Sequence, residues 1–270
     1  MAEFLLGGNP WICDCQMEWM KDVNRLSLTH SYARIVDIES VMCTTTTATA
    51  VATARPNSNA STAHHTPLLQ LESEEFMCAY EAHCIPQCFC CDFFACDCRM
   101  QCPEGCSCYH DNTWTNNIIQ CSAGGFTDVP PLIPMDATTV YLDGNNMTDL
   151  VNPGFIGRKR VHTVYLNNSL VQHVTNFSFE GLTSLRVLHL ENNQIERLDG
   201  TEFSGLERLK ELYLQNNVLV SVAAETFESL RSLAVLRLDG NLLTNFPVWE
   251  LTKNPLLVGF SIFRSVRLFI

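Results

Sequence analysis

The sequence predicts an α/β solenoid with a concave parallel sheet and an irregular convex side. Columns of similar residues, each repeating every 24 positions, lead to this prediction. The apolar column comprises Leu142, Leu166, Leu190, Leu214 and Leu238, and a companion column two residues earlier comprises Val140, Val164, Leu188, Leu212 and Leu236. Three residues after the first column stand Asn145, Ser169, Asn193, Asn217 and Asn241, and thirteen residues after it stand Phe155, Phe179, Phe203, Phe227 and Leu251.

Each column has a physical role. The two apolar residues of a strand point to the same side, so they bury against their counterparts in the next repeat. Asparagines supply donors and acceptors to turn backbone that no sheet pairing serves, so Ser169 predicts a weaker or water-assisted turn. Because one repeat cannot cover its own apolar face, stability comes from stacking. A fixed period that reads L-x-L-x-x-N is typical of leucine-rich repeats.

Composition narrows the class further. The chain has 270 residues, of which 46% are hydrophobic, and this is ample for a core. Its 14 cysteines, many in Cys-x-Cys units, indicate disulfides or metal, and beside such repeats they favour an oxidised, extracellular protein. The formal charge of -12 argues against nucleic acid as a partner. No run of apolar residues is long enough for a transmembrane helix, and residues 1–8 are too short for a signal peptide, so we expect a piece of a larger protein.

Residues 1–12 are predicted to be the remnant of a preceding repeat, with Leu6 and Asn9 in L-x-x-N spacing. The next residues, Asn-Pro-Trp-Ile-Cys-Asp-Cys, resemble the opening of the C-terminal cysteine cap of extracellular leucine-rich repeats. That resemblance implies a cap over residues 13–78, with Cys13 paired to Cys43 and Cys15 to Cys78. Residues 18–28 predict a helix whose apolar side holds Trp19, Met20, Val23 and Leu26. Residues 44–66, rich in Thr and Ala, predict a flexible insertion that carries O-linked sugars.

Residues 79–101 form a cysteine-rich junction. The motif Cys-Pro-x-x-Cys-x-Cys that follows resembles an N-terminal cysteine cap over residues 102–136, which implies the pairs Cys102–Cys108 and Cys106–Cys121. Caps on both sides favour structural disulfides in the junction over a metal cluster or a redox-active thiol pair. The pairing is left open for Cys84, Cys88, Cys90, Cys91, Cys96 and Cys98.

Two caps back to back, followed by a second repeat block, resemble the ectodomain of insect Toll-family receptors, in particular the long Tolls of the Tollo type. The tetrapeptide motifs Cys-Cys-Asp-Phe at residues 90–93 and Ala-Cys-Asp-Cys at residues 95–98 carry this resemblance. It implies a non-enzymatic receptor without a cofactor, on the extracellular side of the plasma membrane, that acts in innate immune or developmental signalling or in cell–cell adhesion. The implied partner is a cystine-knot cytokine of the Spätzle type, another Toll, or another leucine-rich-repeat surface protein. A secreted matrix or decoy protein is the alternative.

Residues 137–262 are predicted to hold five repeats and a partial sixth, and residues 263–270 a tail outside the family pattern. Since no closing cap appears, we expect the last strand edge to be uncovered and the chain to form homodimers through it. No Gly-rich phosphate loop, supported nucleophile motif or metal-ligand set is present in the sequence, which predicts no catalytic site and no metal.

The candidate ligand-binding residues lie on the predicted concave face. They are Tyr141, Tyr165, His189, Tyr213 and Arg237, one from each of five neighbouring strands. Aromatic rows suit protein recognition, although tyrosine is also simply a good residue for an exposed strand. Candidate N-glycosylation sites are Asn59, Asn146, Asn167 and Asn176. Because Asn167 lies on the same face, either it carries no glycan or the ligand binds elsewhere, at the lateral edges or the cysteine junction.

Overall fold

The computed structural model describes residues 3–27, 33–44, 65–84, 99–150, 153–244, 246 and 248–263. Most of the 44–66 insertion with Asn59, the junction cysteines from Cys88 to Cys98, and the tail beyond Phe263 lie outside the described residues. Among the residues described, no helix is long and apolar enough to cross a membrane. The chain divides into two compact units, residues 1–80 with 109–117 and residues 81–108 with 118–270.

The first unit combines short strands with one α-helix. Its elements are β1 (Glu3–Phe4), β2 (Trp11–Ile12), α1 (Met20–Ser27), β3 (Arg34–Ile35), β4 (Met42–Thr44), β5 (His65–Pro67) and β6 (Cys78–Tyr80), with 3-10 turns at Ile38–Ser40, Leu68–Gln70 and Ser73–Glu75. Strand β1 pairs in parallel with β3 and β2 with β4, while β5 runs antiparallel to β4. The Cys13–Cys43 disulfide lies in a core with Met20, Val41 and Phe76.

Helix α1 differs from its prediction at its first turn. It begins at Met20, so Trp19 precedes the helix and is 58% exposed. Trp19 is thus more exposed than Met20, but it lines one apolar pocket together with Met20 and Val23, so these three residues do share a side as predicted. Met20 and Val23 do pack against the core, as predicted.

Disulfides lie within each of the two caps. In the first unit Cys13 bonds Cys43 and Cys15 bonds Cys78, with Cα atoms 5.3 and 5.1 Å apart. In the second unit Cys102 bonds Cys108 and Cys106 bonds Cys121, with Cα atoms 5.8 and 4.5 Å apart. These are the pairs that the resemblance to leucine-rich-repeat caps implies. Cys84 is also disulfide-bonded, so no cysteine among the described residues is free.

The second unit is a solenoid around one parallel sheet. Its elements are β7 (Ala82–Cys84), β8 (Arg99–Gln101), β9 (Ser107–His110), whose last two residues belong to the first unit, β10 (Asn117–Gln120), whose first residue belongs to the first unit, β11 (Thr139–Tyr141), β12 (Asp149–Leu150), β13 (Thr163–Tyr165), β14 (His173–Val174), β15 (Val187–His189), β16 (Arg197–Leu198), β17 (Glu211–Tyr213), β18 (Ser221–Val222), β19 (Val235–Arg237) and β20 (Gly259–Ser261), with 3-10 turns at Ala224–Phe227 and Val248–Lys253. Strands β11, β13, β15, β17, β19 and β20 pair in that order, each offset from the last by one repeat. The predicted leucine-rich-repeat solenoid is confirmed.

Both apolar columns and the Phe column form the core of this unit. The members of the two leucine and valine columns are fully buried, and the four phenylalanines are at most 2% exposed. On the convex side β12 pairs with β14 and β16 with β18, and the rings of Phe179 and Phe203 stack with centroids 6.1 Å apart. Each buried Leu or Phe contributes roughly 1.5 to 3 kcal/mol, and only the stack of repeats makes that burial possible.

The asparagine column joins each repeat to its neighbour. Asn193 Nδ2 donates to the carbonyls of Leu166 at 2.8 Å and Leu190 at 3.0 Å, and its Oδ1 accepts the amides of Ser169 at 2.9 Å and Val171 at 3.1 Å. Asn217 and Asn241 repeat the same two donor contacts one and two repeats later. One buried amide thus fixes its own turn and ties it to the previous one.

Ser169 occupies this column with a shorter side chain. It is fully buried, and its Oγ lies 2.9 Å from the Leu142 carbonyl and 3.2 Å from the Asn167 carbonyl. A hydroxyl has one hydrogen where an amide has two, so Ser169 serves fewer acceptors than Asn193 does. The turn at Ser169 is held by direct hydrogen bonds, but by fewer of them than the turn at Asn193.

We expect Asn193→Ala to lower the free energy of unfolding by about 3 kcal/mol, because two buried carbonyls and two buried amides lose their partner. Chemical denaturation followed by circular dichroism measures this. The matched control is Gln194→Ala, whose exposed side chain accepts a hydrogen bond from Gln172. Equal stability of the Asn193 and Gln194 variants would contradict the role given to the column.

Candidate functional site

The strand register places four aromatic side chains in one line on the concave face. Tyr141 pairs with Tyr165, Tyr165 with His189, and His189 with Tyr213, each at the last residue of its strand. The middle residue of every strand points into the core, so the residues on either side of it point outward. We call Tyr141, Tyr165, His189 and Tyr213 the aromatic row.

The rings of the aromatic row stack on one another. Successive centroids lie 4.4, 4.4 and 4.5 Å apart, with interplanar angles of 2°, 11° and 4°. These distances are close to the spacing of about 4.8 Å between neighbouring strands, so the sheet itself imposes the stack. Because the ring faces cover one another, a partner meets ring edges and polar atoms, already fixed in place.

The aromatic row is continued at both ends. Gln120 of β10 is paired with Tyr141, and Arg237 of β19 is paired with Tyr213. Arg237 is exposed, and its Nε donates to Asp239 Oδ2 at 2.8 Å. The predicted candidates therefore do form one continuous surface, in which Arg237 is already engaged by an acid of its own repeat.

A second line of polar side chains runs beside the aromatic row, two residues later in each repeat. We call it the acid–amide row; it comprises Asp143, Asn167, Glu191, Gln215 and Asp239. Glu191 Oε1 lies 3.1 Å from His189 Nδ1, and Asp143 Oδ1 accepts from Ser122 Oγ at 2.5 Å. Of these five residues only Asn167 was named from the sequence, as a candidate glycosylation site. The signal that identifies the other four is their position two residues after the aromatic row or Arg237, since alternate residues of a strand point to the same side.

The aromatic row lies in a partly buried, acidic environment. Burial raises the pKa of Tyr141 above its ordinary value, and Tyr165 and Asp143 act in the same direction. Burial also raises the pKa of Tyr165. At Tyr213, burial and then the hydrogen bond that its hydroxyl donates to Glu211, 2.7 Å long, raise the pKa to about 12. The tyrosines therefore stay neutral and keep their hydroxyl protons across physiological pH.

Three candidate sequons fall on described residues. Asn146 and Asn176 are exposed. Asn167 lies in the acid–amide row, and its Oδ1 is buried without a hydrogen-bond partner among the described residues. A glycan on Asn167 would project over the concave face, whereas glycans on the other two would leave the aromatic row open.

Another cluster carries potential metal ligands in the first unit. Cys15, Cys78 and His110 place one sulfur or nitrogen atom each within 4.8 Å of one another. The two sulfurs are joined in the Cys15–Cys78 disulfide, so they are not available as thiolate ligands. His110 Nδ1 lies 2.7 Å from the Asp111 carbonyl, and its ring stacks on Trp114 with centroids 3.6 Å apart. The cluster is a packed structural element of its unit.

We expect Glu211→Gln to lower the pKa of Tyr213 from about 12, because the carboxylate that holds the phenol proton is replaced by a neutral amide. A pH titration of the Tyr213 ring signals by NMR measures it, with the exposed Glu207→Gln as control. The folded chain keeps this proton to higher pH than an unfolded chain, whose tyrosines titrate near about 10. The contribution of Tyr213 to stability is therefore present below pH about 10 and is lost as the pH rises toward about 12. Identical Tyr213 titrations in the wild type and in Glu211→Gln would refute the contact.

Comparisons with known proteins agree with this architecture. The leucine rich repeat family matches residues 137–195, 159–219 and 207–252. Toll-like receptor 7 of Drosophila melanogaster is 42% identical over 161 residues, which are 60% of this chain and 10% of that receptor. The acid labile subunit of the insulin-like growth factor-binding protein complex of Rattus norvegicus is 34% identical over 55 residues, 20% of this chain and 9% of that protein. The chain thus spans about a tenth of the length of these curated relatives.

Among solved structures, human 5T4, also named trophoblast glycoprotein, has a similar fold. It superposes with a TM-score of 0.50 at 24% identity, over 60% of this chain and 63% of that one. The likeness to a Toll-like receptor also agrees with the prediction that the chain is not an enzyme. The chain has the fold of a leucine-rich-repeat solenoid with disulfide-rich caps, and over 161 residues it is similar to a Toll-like receptor.

Proposed function

We propose that this chain is the part of a receptor ectodomain that recognises a protein ligand through the aromatic row. The observation that carries the proposal is the stack of four rings on four consecutive strands, at separations of 4.4 to 4.5 Å. Tyrosine provides a large contact area at a low cost in conformational entropy, and stacking has already removed much of the remaining freedom. A rigid aromatic patch of this kind suits the centre of a protein–protein interface.

The likeness to Toll-like receptor 7 supports a receptor on the extracellular side of the plasma membrane. By that likeness the ligand is a cystine-knot cytokine of the Spätzle type, another Toll, or another leucine-rich-repeat surface protein. The role is then innate immune or developmental signalling, or adhesion between cells. Four disulfides with both partners among the described residues fit an oxidising compartment. We also propose that Asn167 carries no glycan, since the residue is half-buried and its side-chain oxygen is fully buried.

The test is a binding screen of the chain against extracellular proteins of these three classes, repeated with Tyr165→Ala and Tyr213→Ala. Truncation of a central aromatic residue costs about 2 kcal/mol of binding energy, so we expect each variant to weaken binding by more than about tenfold. The matched control is Phe177→Ala, an exposed aromatic residue that lies outside the concave face. Thermal unfolding verifies that all variants fold.

Unchanged affinity in both tyrosine variants would remove the aromatic row from the binding site. Mass spectrometry of the peptide that contains Asn167 belongs to the same experiment. A glycan found there would cover the concave face and would mean that the ligand binds to another face.

A further inference from the structure

Carboxylates dominate the charged groups of the concave face. The concave face is formed by the outward residues of strands β11, β13, β15, β17 and β19 and by the acid–amide row that follows them. These positions hold four acids and one permanent cation. The acids are Asp143, Glu191, Glu211 and Asp239, and the cation is Arg237. The face on which the aromatic row lies is therefore negative.

The one permanent cation of this face, Arg237, already forms an ion pair. Arg237 pairs with Asp239 at 2.8 Å. Of the other three acids, Asp143 accepts from Ser122, Glu211 accepts from Tyr213, and Glu191 lies beside His189, which pairs with it as an ion only when the ring is protonated. Among the described residues no lysine or arginine forms an ion pair with these three carboxylates. None of the three is therefore neutralised by a permanent cation.

The acid–amide row alternates in charge. An acid stands on every second repeat, and neighbouring acids are separated by two strand spacings, or about 10 Å. That separation exceeds the screening length of about 8 Å at physiological ionic strength, so the carboxylates repel one another weakly. The amides between them, Asn167 and Gln215, carry no charge, and their side-chain oxygens are buried. The charge that the acid–amide row presents therefore comes from its acids and is negative.

The same negative charge acts on the tyrosines. Asp143 helps to raise the pKa of Tyr141, and Glu211 and Glu191 help to raise that of Tyr213. Geometry and electrostatics therefore agree that negative charge exceeds positive charge on the concave face.

From this arrangement we infer that the concave site takes a protein segment bearing arginine or lysine side chains, which pack against the ring edges and pair with Asp143, Glu191 and Glu211. The inference rests on the proposed function and specifies its ligand. Arginine fits best, because its planar guanidinium binds a carboxylate through two hydrogen bonds while its aliphatic stem packs against apolar surface. A nucleic acid meets repulsion at the same surface.

The test uses the full chain and a synthetic peptide of about nine alternating arginine and serine residues, long enough when extended to cross five strands. Its counterpart has glutamate in place of arginine. The concave triple variant combines Asp143→Asn, Glu191→Gln and Glu211→Gln. Because each amide keeps an acceptor oxygen, the contacts with Ser122, His189 and Tyr213 remain possible and the fold is retained, as thermal unfolding verifies.

The matched control removes three exposed acids outside the concave face, through Glu180→Gln, Glu207→Gln and Glu228→Gln. Both triple variants change the net charge equally. We expect the concave triple to raise the Kd of the arginine peptide by about tenfold or more and the control triple by less than about twofold, since close charge pairs outweigh distant ones. The glutamate peptide should not bind. Equal weakening by the two triples, or no binding of the arginine peptide to the wild type, would overturn the inference.

This outcome is separable from that of the proposed function. If Tyr165→Ala weakens a protein partner while the concave triple leaves the arginine peptide unaffected, recognition by the aromatic row stands and the basic ligand is wrong. If the concave triple weakens binding of the arginine peptide while the tyrosine variants leave binding of the protein partner unchanged, the site binds cationic segments and the receptor partner contacts another face.

Discussion

Buried contacts between an asparagine and the backbone of two successive repeats are the constraint on which the solenoid depends. Asn193 serves two carbonyls and two amides that the sheet leaves unpaired. Leucine columns supply most of the free energy through burial, but burial alone does not select a register. The directional amide contacts, repeated at Asn217 and Asn241, fix the offset between repeats.

The candidate site follows from that register. A fixed offset brings position 141 beside 165, then 189, then 213, so equivalent side chains meet whatever their chemistry. At buried positions this offset brings leucine beside leucine and phenylalanine beside phenylalanine. On the concave face the same rule stacks aromatic rings and aligns carboxylates, and it gives a surface that is rigid before any ligand arrives. Preorganisation of this kind lowers the entropy that binding must overcome.

Much of the fold could be predicted because periodicity is a direct record of packing. The 24-residue columns predicted the strands, the buried faces and the outward position of Tyr165. The helix was predicted to begin at residue 18 but begins at Met20, because the exact start of a short helix depends on tertiary contacts that a hydrophobic pattern does not contain. The short side chain of Ser169 was visible in the sequence, but its direct contact with the Leu142 carbonyl required the geometry of the turn. The pairing of Glu211 with Tyr213 likewise depends on side-chain rotamers, which sequence alone does not fix.

Native-state hydrogen exchange of the Ser169 and Val171 amides tests the central claim most directly. Both amides donate to Asn193 Oδ1, which is buried between repeats, so both should exchange only when the whole solenoid unfolds. Exchange of these two amides as fast as that of solvent-exposed backbone would contradict the account, because the asparagine column would then not hold the register that aligns the aromatic row.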